Sequence, residues 1–203
     1  MNLFLIFSSA WSFKKELIIV VLSFLLILSL PVAAVFMLTN AGIDIISDHL
    51  ATKNEQTQSV DIHDPKDGSV ITSVNKPMHW PLHGVVTLEF GAIDLPYQPL
   101  HTGIDIANVK DTPVEPFMDG TVTYAGEISW GYGKHVIIDN GNNISSLYAH
   151  LDKIYVYPGE KVTMDQTIGA EGETGWATGP HVHFEIRVFG IPVNPRTFLA
   201  GDP

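Results

Sequence analysis

From Trp80 to the C-terminus, short apolar runs alternate with turns rich in Gly, Pro and Asn. No other feature constrains the fold of this chain as tightly. Runs of this length between turn residues read as strands. A helix would need an apolar stripe of period 3.6, and that signal is weak apart from a turn around Pro195–Leu199. Candidate strands are Val85–Phe90, Thr121–Ala125, His135–Asp139, Ile144–Tyr148, Thr167–Ala170 and His183–Phe189. Asp119-Gly120 and Asn140-Gly141 are dipeptides suited to hairpin turns. The expected fold is all-β, two curved antiparallel sheets with a groove between them.

The first third of the chain differs. Leu17 to Leu38 is almost wholly apolar, interrupted only by Ser23, Ser29 and Pro31. About 20 apolar residues suffice to cross a bilayer as a helix. Lys14 and Lys15 precede the run, and Asp44 and Asp48 follow it. The positive-inside rule then leaves the N-terminus in the cytoplasm and the β domain outside. A cleaved signal peptide is the alternative, with Val32-Ala33-Ala34 as the cut site, but its apolar core is normally about 7–15 residues. The expected organisation is a cytoplasmic flank over residues 1–16, a transmembrane helix over 17–38, a polar linker over 39–76 and a β domain over 77–203. Low hydrophobicity in the linker favours loose order. It serves as a spacer or, less simply, as an arm across the groove.

Charge and cysteine content narrow the partners. The chain has 22 Asp+Glu against 11 Lys+Arg, and no Cys. From Pro77 onward there are 15 acids and 6 bases. That sign disfavours neutralising phosphates, so no nucleic acid is expected as a partner. Without Cys there is neither a disulfide nor a thiolate metal ligand.

The chemistry is carried by histidines. His101-Thr102-Gly103-Ile104-Asp105 and His181-Val182-His183 put nitrogen and oxygen donors at even spacings. Alternate side chains of a strand share a face. Two such strands side by side would bring three of these groups within reach of one zinc ion, which leaves a fourth position for water at a catalytic site.

The stretch from Trp80 to Pro195 closely resembles the M23 family of zinc endopeptidases, the lysostaphin-like enzymes that cut peptidoglycan peptides. Leu100 to Ala107 resembles the family's first ligand motif. Thr112-Pro113-Val114 and Asp119-Gly120-Thr121-Val122 resemble the hairpin after it, and Gly131-Tyr132-Gly133 the loop before the central strand. Leu147-Tyr148-Ala149-His150-Leu151 resembles the segment with a catalytic His, and Thr174 to Glu185 the last motif. Asp111, Pro116, Lys134 and Asp139-Asn140-Gly141-Asn142 depart from the usual pattern, in turns and strand ends. The resemblance implies a lysostaphin-like fold and one zinc per domain, held by His101, Asp105 and His183. It implies His150 and His181 as the catalytic, non-ligand histidines. Histidine titrates near neutrality, so the pair could take a proton from the attacking water and pass one to the departing amine.

Trp130, Tyr132, Tyr148 and Trp176 are candidate groove-lining residues, and Glu185 a partner for a neighbour. The expected function is a membrane-anchored zinc endopeptidase acting on peptidoglycan peptides. Two alternatives come from other classes: a catalytically silent scaffold that activates another wall hydrolase, and a phosphocarrier domain of similar β fold. The second is cytoplasmic work, which the apolar anchor opposes.

Overall fold

The computed structural model describes residues 17–27, 29–30, 42–94 and 100–203. Met1–Ala41 and Gly42–Pro203 are separate compact units. In the first, residues 17–27 are helical. Among the described residues no helix is long and apolar enough to cross a membrane. The expected span continues over residues 31–38, which lie outside the described residues.

The second unit begins with a helix over residues 42–50. An antiparallel meander follows: β1 (Ala51–Asn54), β2 (Ser59–His63) and β3 (Val70–Val74). Residues 51–74 were expected to be loose linker, and the structure corrects that. Ser59-Val60-Asp61-Ile62-His63 alternates apolar with polar, and Val60 and Ile62 are buried beside Leu50, Ala51 and Val74. These side chains share one core with Phe198 and Leu199 near the C-terminus. The Asn194 amide donates to the buried Ser47 hydroxyl at 2.9 Å. Few apolar residues are needed because the surface they cover belongs to the domain behind them.

The remaining strands are β4 (Val85–Leu88), β5 (Ile104–Ala107), β6 (Pro113–Val114), β7 (Gly120–Glu127), β8 (Lys134–Gly141) and β9 (Ile144–Ala149), then β10 (Lys153–Ile154), β11 (Lys161–Val162), β12 (Gly169–Ala170), β13 (Val182–Val188) and β14 (Ile191–Val193). The large sheet runs β11-β7-β8-β9-β13-β5-β4, with β14 beside β13. A small sheet runs β10-β12-β6. The pairings are antiparallel, as the sequence predicts. A short 3-10 turn, Pro195–Thr197, stands where the sequence signals one.

Two turn assignments shift. The β8–β9 hairpin closes through Asn142 and Asn143, at φ 54° and 62°, one step beyond Asn140-Gly141. Two consecutive positive φ values match a primed turn, which follows the twist of the strands. Asp119-Gly120 is no hairpin, since Gly120 opens β7. A Cβ there would lie 2.4 Å from the Asp139 carbonyl oxygen, so glycine lets β7 approach β8.

β13 organises the site. Val182, Phe184, Ile186 and Val188 are fully buried on one face. The Phe184 ring packs against Phe117 at 5.8 Å and Tyr148 at 5.4 Å. Tyr148 is therefore a core residue and does not line the groove. Its hydroxyl accepts from the Phe117 amide and donates to Ser146 Oγ at 3.0 Å. The opposite face of β13 carries His183, Glu185 and Arg187.

Candidate metal centre and active site

Register places the ligands. His183 on β13 lies directly opposite Asp105 on β5 and Ala149 on β9. His101 precedes β5 rather than lying within it, and is held in place by its own backbone. Its amide donates to Ala92 O, and its carbonyl accepts from Gly91 N, both at 2.8 Å. Between His101 and Asp105, Gly103 passes so close to β13 that a Cβ would sit 2.3 Å from Phe184 O.

Three donor atoms converge. His101 Nε2 is 2.9 Å from Asp105 Oδ1 and 2.9 Å from His183 Nδ1, and His183 Nδ1 is 2.8 Å from the same Oδ1. This is the one such cluster of potential metal ligands among the described residues. The protonation pattern shows what the cluster wants. His101 Nδ1 faces the Glu89 carbonyl at 3.0 Å, and a carbonyl can only accept, so the proton sits on Nδ1. His183 Nε2 faces Glu185 Oε1 at 3.0 Å, again an acceptor. The other nitrogen of each neutral ring then points a lone pair at the carboxylate. Three lone pairs facing one point repel unless a cation or a proton lies between them. Zinc fits this set of two imidazoles and one carboxylate. Tetrahedral zinc spaces its ligand atoms about 3.3 Å apart, so each donor needs to withdraw by only a fraction of an ångström.

The electrostatics agree. Burial alone would push the Asp105 carboxyl up, but hydrogen bonds from His101 and His183 outweigh it and hold the group well below the carboxylate range. Burial alone would lower His183, but hydrogen bonds to Asp105 and Glu185 raise it to about 9. Without a metal, a proton takes the cation's place.

A buried network braces His183 from behind. Glu185 is fully buried. Its Oε1 accepts from Thr102 Oγ1 at 2.6 Å and Tyr132 OH at 2.7 Å, and Oε2 pairs with Arg187 at 2.6 Å. Burial raises the Glu185 carboxyl, but His183 and Arg187 outweigh it and hold it at about 2. An anionic partner on the far nitrogen fixes the tautomer and orientation of a ligating His. Glu185 was legible only as pairing with a neighbour. Thr102 and Arg187 escaped sequence reasoning, although Arg187 continues the alternation His183, Glu185 along one strand face.

His150 and His181 stand beside the cluster, their rings 4.7 Å apart. His150 Nδ1 donates to Thr174 O at 2.7 Å, and His181 Nδ1 donates to Gly179 O at 2.9 Å. Both acceptors are carbonyls, so each ring in its neutral form carries its free lone pair on Nε2. His181 Nε2 is 3.7 Å from Asp105 Oδ2. Burial, and then the neighbouring His181, push His150 down to about 4. His150 also has φ 61°, a left-handed conformation that a non-glycine residue adopts at some cost.

The five expected residues meet in one cleft of about 300 Å³, together with Trp130, Tyr132 and Trp176. Burial and Glu185 raise the Tyr132 hydroxyl to about 12, which keeps it a neutral donor.

Comparison with known proteins places this fold. The model of Peptidase family M23 matches residues 99–195. The DD-carboxypeptidase/endopeptidase Mpg of Neisseria meningitidis serogroup B is 39 % identical over 134 residues, covering 66 % of this chain and 29 % of Mpg. The murein hydrolase activator NlpD of Escherichia coli is 38 % identical over 120 residues, covering 59 % of this chain and 30 % of NlpD. Among solved structures, the catalytic domain of the prophage-encoded M23 protein EnpA from Enterococcus faecalis, in a mutant form, is 35 % identical. The match covers 62 % of this chain and 94 % of that one, with a TM-score of 0.52. The chain belongs to the M23 peptidase family. It spans less than a third of the length of the curated relatives Mpg and NlpD.

Proposed function

We propose that this protein is a zinc-dependent endopeptidase that hydrolyses peptide bonds in peptidoglycan stem peptides or cross-bridges. One observation carries the reading: beside a complete three-donor cluster, His181 brings its Nε2 within 3.7 Å of Asp105 Oδ2, and the His150 ring lies 4.7 Å from that of His181. One zinc, held by His101, Asp105 and His183, would supply Lewis-acid activation of water and of the scissile carbonyl. His181 suits the general base, because its Nε2 lies beside the outer oxygen of Asp105. Once protonated, it can deliver that proton to the departing amine. His150 remains neutral through the working range and is a weak base. It accepts a hydrogen bond from the attacking water and keeps it aligned. Gly179 O and Thr174 O hold both rings in the tautomer these roles need.

The likeness to Mpg favours catalysis, and that to NlpD favours a silent activator of another hydrolase. A silent scaffold has no need of the intact donor set found here. Digesting purified sacculi with the zinc-loaded protein alone, and identifying new ends by mass spectrometry, separates the two. New peptide ends support the endopeptidase. Wall release only after a separate hydrolase is added supports the activator.

We further propose that residues 17–38 anchor the protein as a single-pass span with the β domain outside the cytoplasm, where its substrate lies. The support is the apolar run, the two lysines before it and the acids after it.

A further inference from the structure

Trp130 and Trp176 stand at the mouth of the same cleft. They are 62 % and 48 % exposed, with ring centroids 6.2 Å apart and planes inclined at 52°. Two indoles this exposed in adjacent positions form an apolar patch whose place on a cleft rim points to a ligand.

The pair is mounted rigidly. The Trp176 amide donates to Gly131 O at 2.8 Å. A Cβ on Gly175 would lie 2.3 Å from Gly131 O, and one on Gly133 would lie 2.4 Å from the Thr174 carbonyl carbon. The two loops therefore meet backbone to backbone, where no side chain fits. The same loops hold the catalytic side: His150 donates to Thr174 O, and its amide to Tyr132 O at 2.9 Å.

The charge around the cleft selects the ligand. Among the described residues no Lys or Arg lines it, whereas Asp94 does. Trp is the best aromatic partner for a cation, which binds over the ring face within about 6 Å of its centroid. A V-shaped pair of indoles in a cleft with a carboxylate, and with no Lys or Arg among the described residues that line it, suits an ammonium group. We infer that Trp130, Trp176 and Asp94 form a specificity subsite for a positively charged amine on the substrate, such as the free side-chain amine of a diamino acid in the stem peptide. This rests on the endopeptidase reading. It adds that the enzyme distinguishes peptides whose amine is free from those whose amine is acylated.

The test uses two stem pentapeptides that differ only in acetylation of a lysine side chain. Each is titrated into the zinc-loaded full chain and followed by calorimetry and tryptophan fluorescence. The free-amine peptide should bind at least about tenfold more tightly, the gain from one modestly desolvated cation–π contact plus a carboxylate. Trp130→Ala with Trp176→Ala should bring the two affinities together, and Asp94→Asn should narrow the gap. Both indoles are exposed, so the double variant leaves the core intact, which its thermal melt would verify. Equal affinities in the wild type would overturn the subsite, as would a gap that survives the double variant. Neither result depends on turnover. If the protein also fails to cut sacculi while the affinity gap persists, the subsite stands and the catalytic reading falls.

Discussion

At the scale of single residues, the proposed mechanism divides the site into groups that would hold the ion and groups that would move protons. His183→Ala should abolish stoichiometric zinc and activity together, since it removes one of three donors. His150→Ala and His181→Ala should keep the zinc and lose about 10²–10⁴-fold in kcat, the usual contribution of general acid–base groups. Metal analysis beside single-turnover kinetics would check both, and metal loss in either latter variant would move that residue among the ligands. The buried network also sets a pH signature. His183 is raised from an ordinary 6.5 to about 9 by Asp105 and Glu185 against the opposing effect of burial. The metal-free fold therefore binds that proton more tightly than the unfolded chain does. The stabilisation is complete below about pH 6.5 and disappears as pH rises through about 9. Zinc displaces the proton, so the loaded protein should not share this loss. Melting curves of both forms between pH 6 and 10 would show a falling Tm for the metal-free protein alone. His150 has the opposite sign. Its depressed value means that the stability it contributes is present above pH 6.5 and lost as pH falls through about 4.

At the scale of elements, the site is a product of register. His183, Glu185 and Arg187 share one face of β13, and a slip of one residue would turn them into the apolar core and turn Phe184 toward the site. Gly103 lets β5 lie close enough for Asp105 to face His183. Gly103→Ala would force a Cβ against Phe184 O, at 2.3 Å in the present geometry. Because the obstacle is backbone, β5 must move away. Zinc affinity should drop by at least about tenfold, with roughly 1–3 kcal/mol of stability lost to overpacking. Chelator competition and denaturant unfolding would measure the two effects. An unchanged zinc affinity would mean that the approach of the two strands does not set the ligand geometry.

At the scale of the whole molecule, the segment before Lys76 is structural. Ile62 and Leu50 are within 1 % of complete burial, in a core that includes Phe198 and Leu199. Ile62→Ala should cost about 2–5 kcal/mol. A chain starting at Gly42 should melt cooperatively, while one starting at Lys76 should be less stable because it exposes the other half of that core. Comparing their melts would decide the matter, and equal stability would return residues 42–75 to the status of a spacer. Topology is tested separately: protease added to intact spheroplasts should release a domain-sized fragment if the β domain lies outside. Protection of the domain would place it in the cytoplasm, away from any peptidoglycan.

The sequence by itself determined the β architecture, since alternating short apolar runs and turn residues leave no helical stripe to bury. It also singled out the residues of the candidate site, because His101, Asp105, His150, His181 and His183 stand in motifs whose order is carried along the chain, and these five line one cleft. Only the tertiary structure decided which neighbours act on them. Thr102, Tyr132 and Arg187 converge on Glu185 from β13 and two separate loops, and no local pattern records a meeting of segments more than 50 residues apart. The same limit hid β1 to β3. Their apolar residues are too few to announce a core, and they become part of one only by joining a cluster that runs through the domain to Phe198 and Leu199 near the C-terminus. Tyr148 shows the limit from the other side: an aromatic two residues before His150 reads as cleft lining, and it is the Phe184 ring against its own and the Phe117 amide on its hydroxyl that make it core.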